Sequence, residues 1–276
     1  MSEVLGDFSI PTVVGAIEAN PVEYWRFCCT HLPDTELYDG PDMTWFVTDI
    51  PFAQFNQVIL TRLPTDGIDA RIDETLAHFK ARKVPMLWSA GPSVRPTDLG
   101  AYLETHGLAN AGAMTGMAVD LLALREDAPM PSGLVIERVS DVEMLERWRH
   151  AYTAGFGMPD FAGRAFFEMY ASIGFGDGVP FRHYVGSIRG EPVACSTLFL
   201  GAGVAGIFHV GTVPEARRKG IGAIMTLAPL RHARAKGYRI GTVYGPSAMG
   251  LNVYRQLGFQ GYYKVTQYLW AGETSG

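Results

Sequence analysis

Three observations predict an α/β protein made of two tandem domains, each a twisted mixed sheet with flanking helices. Strand-like and helix-like stretches alternate along the chain, one segment recurs at a fixed offset, and a proline- and charge-rich break separates the two copies. A chain of 276 residues is long enough for two domains of ordinary size. The break runs over residues 125–133 (Arg-Glu-Asp-Ala-Pro-Met-Pro-Ser-Gly), so the domains are expected at 1–128 and 133–276.

In the first half, residues 12–32 read as a helix in two pieces split at Asn20-Pro21, with Asn20 as cap and Pro21 in the first turn of the second piece. Residues 43–49 and 55–61 are rich in Trp, Phe, Val and Thr and read as strands. Ile68, Ile72, Leu76 and Phe79 share a face, which predicts a helix over 68–83. A strand over 86–90, a helix over 96–106 closed by Gly107, and a strand over 114–124 complete this half.

The second half restarts with a strand at 134–138 and a helix over 141–156 capped by Ser140 or Asp141. A second helix covers 162–173. A hairpin follows, with strands at 182–189 and 193–200 around Gly190-Glu191-Pro192, and then a strand over 206–212. The repeat is read from residues 78–93, HFKARKVPMLWSAGPS, against 232–247, HARAKGYRIGTVYGPS: His, Ala, Gly, Pro and Ser coincide at one offset. His106-Gly107-Leu108 answers Leu257-Gly258-Phe259, so both copies give helix, strand, helix, strand.

Residues 209–236 carry the chemistry. Val210-Gly211-Thr212-Val213-Pro214 is a strand ended by proline, and Ile221, Ile224, Met225, Ala228, His232 and Ala235 recur at helical spacing. Between them stands Arg217-Arg218-Lys219-Gly220-Ile221-Gly222. Glycines permit close backbone approach. A helix N-terminus offers unpaired N–H groups and the positive end of the dipole, and three cations reinforce it, so a diphosphate suits the turn. No Gly-Lys-Ser/Thr closes the glycine run as in a P-loop, and the glycines are not those of a dinucleotide fingerprint. Pro229 falls inside the helix, where a kink is expected.

The series of strand, Val-Pro-x-x-Arg-x-x-Gly-x-Gly, helix, strand and Tyr254-Arg255-Gln256-Leu257-Gly258-Phe259 resembles the acetyl-CoA motifs of the GNAT superfamily of acyl-CoA N-acyltransferases, in their order, over residues 133–270. The resemblance implies two tandem GNAT-like domains, the second an N-acetyltransferase that uses acetyl-CoA as cosubstrate. The first is degenerate, because Leu63-Pro64-Thr65-Asp66-Gly67-Ile68 lacks the arginine and Asp66 repels phosphate. It further implies that the pantetheine arm lies along Val210, Gly211 and Thr212. The pyrophosphate would lie on Arg217, Arg218, Lys219, Gly220, Ile221, Gly222 and Ala223, and Ser247 stands where many relatives carry asparagine. Tyr254 matches the tyrosine that protonates the departing thiolate, a role a phenol of ordinary pKa near 10 can fill.

The general base is the open position. The usual places on the strand fall on Gly206 and Phe208; His209 has the opposite side-chain parity, which a bulge would reverse. The loop between the first two helices of this half, with Phe156, Asp160 and Phe161, is expected to line the acceptor site, and a small-molecule amine with an apolar body suits it. Two rival functions use the same residues: a non-catalytic acyl-CoA-binding module, and transfer of a longer acyl group into room left by Gly206 and Gly211.

Composition excludes other classes. A net charge of −5 argues against a nucleic-acid partner, and no Cys/His/Asp cluster has metal-ligand spacing. The most apolar stretch, 108–124, is interrupted by Asn110, Thr115 and Asp120 and is too short to span a bilayer. Adjacent Cys28 and Cys29 with a lone Cys195 give no disulfide framework, and no secretory signal is visible, so the cytoplasm is expected. Cys195, in a strand without a cationic neighbour, reads as a structural thiol.

Overall fold

The computed structural model describes residues 3–245 and 248–272, with no side-chain description at 248 and 249. In chain order the helices are α1 (Ile10–Cys29), α2 (Ile68–Arg82), α3 (Leu99–Thr105), α4 (Val142–Phe156), α5 (Asp160–Ile173), α6 (Ile221–Ala235) and α7 (Ala248–Gln256). The strands of the first half are β1 (Glu36–Asp39), β2 (Met43–Val47), β3 (Gln57–Thr61), β4 (Met86–Ala90) and β5 (Ala109–Asp120). Those of the second are β6 (Leu134–Arg138), β7 (Phe181–Ile188), β8 (Glu191–Gly201), β9 (Val204–Thr212), β10 (Ile240–Gly245) and β11 (Gln260–Trp270).

These elements form two compact units. The larger comprises Met1–Tyr24 with Gly116–Tyr262, the smaller Trp25–Thr115 with Tyr263–Gly276. The divisions differ from the expected boundaries at 128 and 133, because the halves exchange their closing strands. The end of β5 stands beside β10 in the larger unit, and β11 pairs with β4 in the smaller, Thr266 to Trp270 against Ala90 to Met86. The first turns of α1 also belong to the larger unit.

In the smaller unit the strand order is β1-β2-β3-β4-β11, with β3 and β4 parallel and the other pairs antiparallel. Its core joins Trp45, Val58, Ile72, Leu76, Phe79 and Trp88. The repeat extends to the backbone: β3–α2–β4–α3 matches β9–α6–β10–α7, and α2 starts from Gly67 at φ 77° as α6 starts from Gly220 at φ 79°. Glycine is favoured at both because the left-handed region penalises a Cβ.

In the larger unit the order is β5-β10-β9-β8-β7-β6. β9 and β10 are parallel, and β6 to β9 form an antiparallel meander. The turn of the β7–β8 hairpin is Arg189-Gly190, both at positive φ (53° and 85°), as a two-residue turn matched to strand twist requires. Alternation along β8 and β9 sorts the two faces of this sheet. Leu198, Leu200, Ala205 and Ile207 join the core with Ile224, Leu227 and Leu230 of α6, while Phe199, Gly206 and Phe208 meet Asn20 or Tyr24 of α1.

Helix caps and prolines explain the boundaries. Asp141 caps α4 by accepting from Met144 N at 2.8 Å. The break expected at Asn20-Pro21 is absent, and α1 runs through Pro21. Proline lacks the N–H that would serve the carbonyl four residues back, and that carbonyl, Ile17 O, accepts from Tyr244 OH at 3.2 Å instead. Asn20 is therefore not a cap; it is buried and donates from Nδ2 to Gly201 O at 2.8 Å. Similarly, α6 continues unbroken past a buried Pro229.

Candidate functional site

The site grows from the end of β9. Its parallel pairing with β10 runs from Ala205↔Gly241 to Ile207↔Val243, and both strands continue beyond. On its other side β9 shifts register against β8: Cys195 faces Gly211 and Thr197 faces Phe208, so Ser196 stands against both His209 and Val210. The extra residue makes a β-bulge, and His209 sits in it at φ 53°.

The bulge sends the His209 ring into an aromatic box. Ring centroids of Tyr152, Phe166 and Trp148 lie 4.7, 5.2 and 5.8 Å away, and Tyr170 OH is 3.2 Å from Nδ1. Tyr170 OH in turn meets Tyr24 OH of α1. Burial pushes the imidazole pKa down to about 3, so the ring is neutral at physiological pH. Neighbouring Cys195 is fully buried and donates to His209 O at 3.2 Å, and burial raises its pKa well above the usual thiol value.

Past β9, a short 3₁₀ turn at Pro214–Ala216 leads to Arg217, to Arg218 in a left-handed conformation (φ 60°), and to left-handed Gly220 before α6. No side chain among the described residues caps α6. Its first residues Ile221, Gly222 and Ala223, together with Arg217, Arg218 and Gly220, border a cavity of about 460 Å³. Val210, Gly211 and Thr212 of β9 form a second wall. Gly250, Val253, Tyr254 and Gln256 of α7 form a third. Tyr254 is mostly buried, and burial pushes its phenol up to about 12.

The fourth wall is the last turn of α4, Gly155 and Phe156. It approaches β9 closely because two glycines allow it. A Cβ on Gly155 would come within 3.2 Å of Thr212 N, and one on Gly211 within 2.8 Å of Phe156 Cε2. Arg217 ties the same two elements, donating from Nε to Thr212 O (3.1 Å) and from a terminal N–H to Gly155 O (2.8 Å).

The structure thus brings together the strand residues, most of the turn, Phe156 and Tyr254, and leaves other expected site residues outside. Lys219 turns away, donating to Glu215 O at 3.2 Å and bordering a separate groove. Asp160, the first residue of α5, is ion-paired with Arg149, which lowers the carboxyl pKa and also grips Glu146. Phe161 is half exposed and does not line the cavity. His209 is behind the wall rather than in it, and Ser247 lies outside the described residues. Gly155 lines the cavity beside the expected Phe156, and Val253 and Gln256 of α7 line it without being singled out by the sequence. Their spacing around Tyr254 on a short helix is the signal that could have found them. Among the described residues no cluster could hold a metal ion, and no helix is long and apolar enough to cross a membrane.

Residues 132–247 match the acetyltransferase (GNAT) domain family. A mycothiol acetyltransferase from Saccharomonospora viridis is 41% identical over 64 residues, a match that spans 22% of this chain and only 21% of that protein. Among solved structures, a GCN5-related N-acetyltransferase from Kribbella flavida superposes with a TM-score of 0.70 at 16% identity, covering 95% of this chain and 96% of that one. A tandem GNAT protein from the clavulanic acid biosynthesis pathway gives 0.60 at 15% identity, with 99% of both chains covered. At such identities the structures speak for the fold, which they match across both halves. The family match over residues 132–247, which holds the β9, α6 and α4 walls of the cavity, together with this shared fold supports a GNAT reading of the chain.

Proposed function

We propose that the protein transfers the acetyl group of acetyl-CoA to a primary amine of a small molecule by direct attack, both substrates being bound together. The observation that carries this reading is the single cavity that joins the end of β9, the uncapped start of α6 and the Tyr254 wall. The cavity fits the cosubstrate chemically. Left-handed Arg218 and Gly220 shape a turn ahead of uncapped helix N–H groups, and Arg218 adds positive charge, which suits a diphosphate. Val210 to Thr212 offer strand backbone for an extended amide-containing arm. Acetyl-CoA supplies a thioester, which an amine can attack without a covalent enzyme intermediate when both are held in place.

Tyr254 stays protonated at neutral pH and lines the cavity, which supports assigning it the role of general acid for the leaving thiolate. His209 is assigned no proton from the amine, because a buried imidazole with a pKa near 3 is a weak base at neutral pH. The acyl group is assigned as short. The space beside Gly206 is filled by Asn20 Oδ1 and that beside Gly211 by Phe156, so neither glycine leaves the room a longer chain needs. Three free, buried cysteines support a reducing compartment such as the cytoplasm. The degenerate half, 1–128, is assigned a supporting role, since the turn at Gly67 keeps the backbone form without the arginines.

Calorimetric titration with acetyl-CoA tests the site. Wild type is expected to bind in the micromolar range and Gly220→Asp, which sets a carboxylate on the turn, to lose binding. In a thiol-release screen of amines, Tyr254→Phe should retain acetyl-CoA binding and lose about 10²-fold or more in kcat. Absence of acetyl-CoA binding by wild type overturns the reading.

A further inference from the structure

The two adjacent arginines of the turn are built differently. The Arg217 guanidinium is committed to protein carbonyls. Gly155 O belongs to the last turn of α4, where carbonyls lack intrahelical partners, and Thr212 O ends β9. A planar guanidinium can donate to both at once. The contact lies where Gly155 abuts Thr212 and Phe156 presses on Gly211. From the far side, Arg149 holds the α4–α5 corner through Glu146 and Asp160. Like Arg217, Arg218 is exposed and borders the cavity, but it holds a left-handed backbone conformation and has no ion-pair or hydrogen-bond partner among the described residues.

We propose that Arg217 is a positioning residue that clamps α4 to β9 and fixes the width of the cavity, while Arg218 is the arginine whose charge meets the bound anion. The identity of that anion as an acyl-CoA phosphate rests on the function proposed above; the clamp does not. The arginine that opens the Arg-x-x-Gly-x-Gly run thus shapes the wall, and its neighbour supplies the charge.

Two readouts test the division. In hydrogen exchange on ligand-free protein, Arg217→Gln should speed exchange across residues 153–158, and Arg218→Asn, which keeps a residue tolerant of positive φ, should not. In titration with coenzyme A at about 50 and 500 mM salt, Arg218→Asn should bind about tenfold more weakly at low salt and lose most of the salt dependence, whereas Arg217→Gln keeps the wild-type dependence. Arg217→Lys, which retains charge but not the two-carbonyl fork, should exchange like Arg217→Gln. In turnover, Arg218→Asn should show its loss in the KM for acetyl-CoA and Arg217→Gln in kcat. Unchanged exchange in Arg217→Gln, or a salt dependence flattened by it as by Arg218→Asn, overturns the proposal. Failure of wild type to bind coenzyme A rejects the acyl-CoA reading and the role of Arg218, while the exchange experiment still decides the clamp.

Discussion

At His209 a single backbone torsion decides what a side chain can do. The histidine is conspicuous in the sequence, on the strand where a base would be sought, but strand parity alone points it to the wrong face. The bulge at φ 53° turns the ring among Tyr152, Phe166 and Trp148, and the enclosure keeps it neutral down to about pH 3. The presence of the histidine was legible; the bulge was not, because it depends on how β8 and β9 shift past each other at Ser196. A consequence follows for kinetics. With no titrating base on β9, kcat/KM for an amine should rise with pH up to the amine's own pKa, with no inflection near 6.5. An inflection there that vanishes in His209→Gln would restore His209 as the base.

Among the elements, α1 shows where local reading stops. Asn20-Pro21 carries the local signature of a cap and a helix start, yet the helix continues because Tyr244, distant in sequence, donates to the carbonyl that Pro21 leaves unserved. Helices with their own periodicity, such as α2 and α6, were legible from spacing, since one apolar face is written into each. The strands β4 and β6 were legible to the residue for a similar reason. What sequence alternation does not encode is a strand's neighbour, so the exchange of β5 and β11 between units was invisible. The seating of α1 on β9 yields a stability prediction. A Cβ at Gly206 would fall 1.9 Å from Asn20 Oδ1 and 2.8 Å from Phe208. Gly206→Ala should therefore lower stability in urea unfolding by about 1–3 kcal/mol, as overpacking does. Asn20→Ala should reduce that penalty in the double variant, because the two residues compete for one space. Additive losses would mean that the helix shifts rather than clashes.

For the molecule as a whole, buried and paired histidines give the two units opposite responses to pH. In the larger unit, burial lowers the pKa of His183 and of His209 to about 3. The unfolded chain protonates such residues below about 6.5, and the folded unit does not, so their contribution is fully present above that value and is lost as pH falls towards 3. In the smaller unit, burial works against the charge on His106, but hydrogen bonds to Asp69 and Asp73, at 2.9 and 2.8 Å, outweigh it and raise the pKa. Here the sign reverses: the contribution is complete below about 6.5 and fades as pH rises through the raised folded value. Carboxylates held low by arginine, such as Glu126 beside Arg231, release their contribution only at more acid pH, so between about 5.5 and 8 the histidines dominate. Hydrogen exchange resolved by segment can see both units in one sample. Going from about pH 8 to 5.5, after correction for intrinsic exchange, local opening should become easier in α4 and β7 and harder in α2 and α3. His183→Gln should weaken the first trend and His106→Gln abolish the second. If α2 and α3 follow α4 and β7 in the same direction, the pairing of His106 with its two aspartates does not govern the smaller unit.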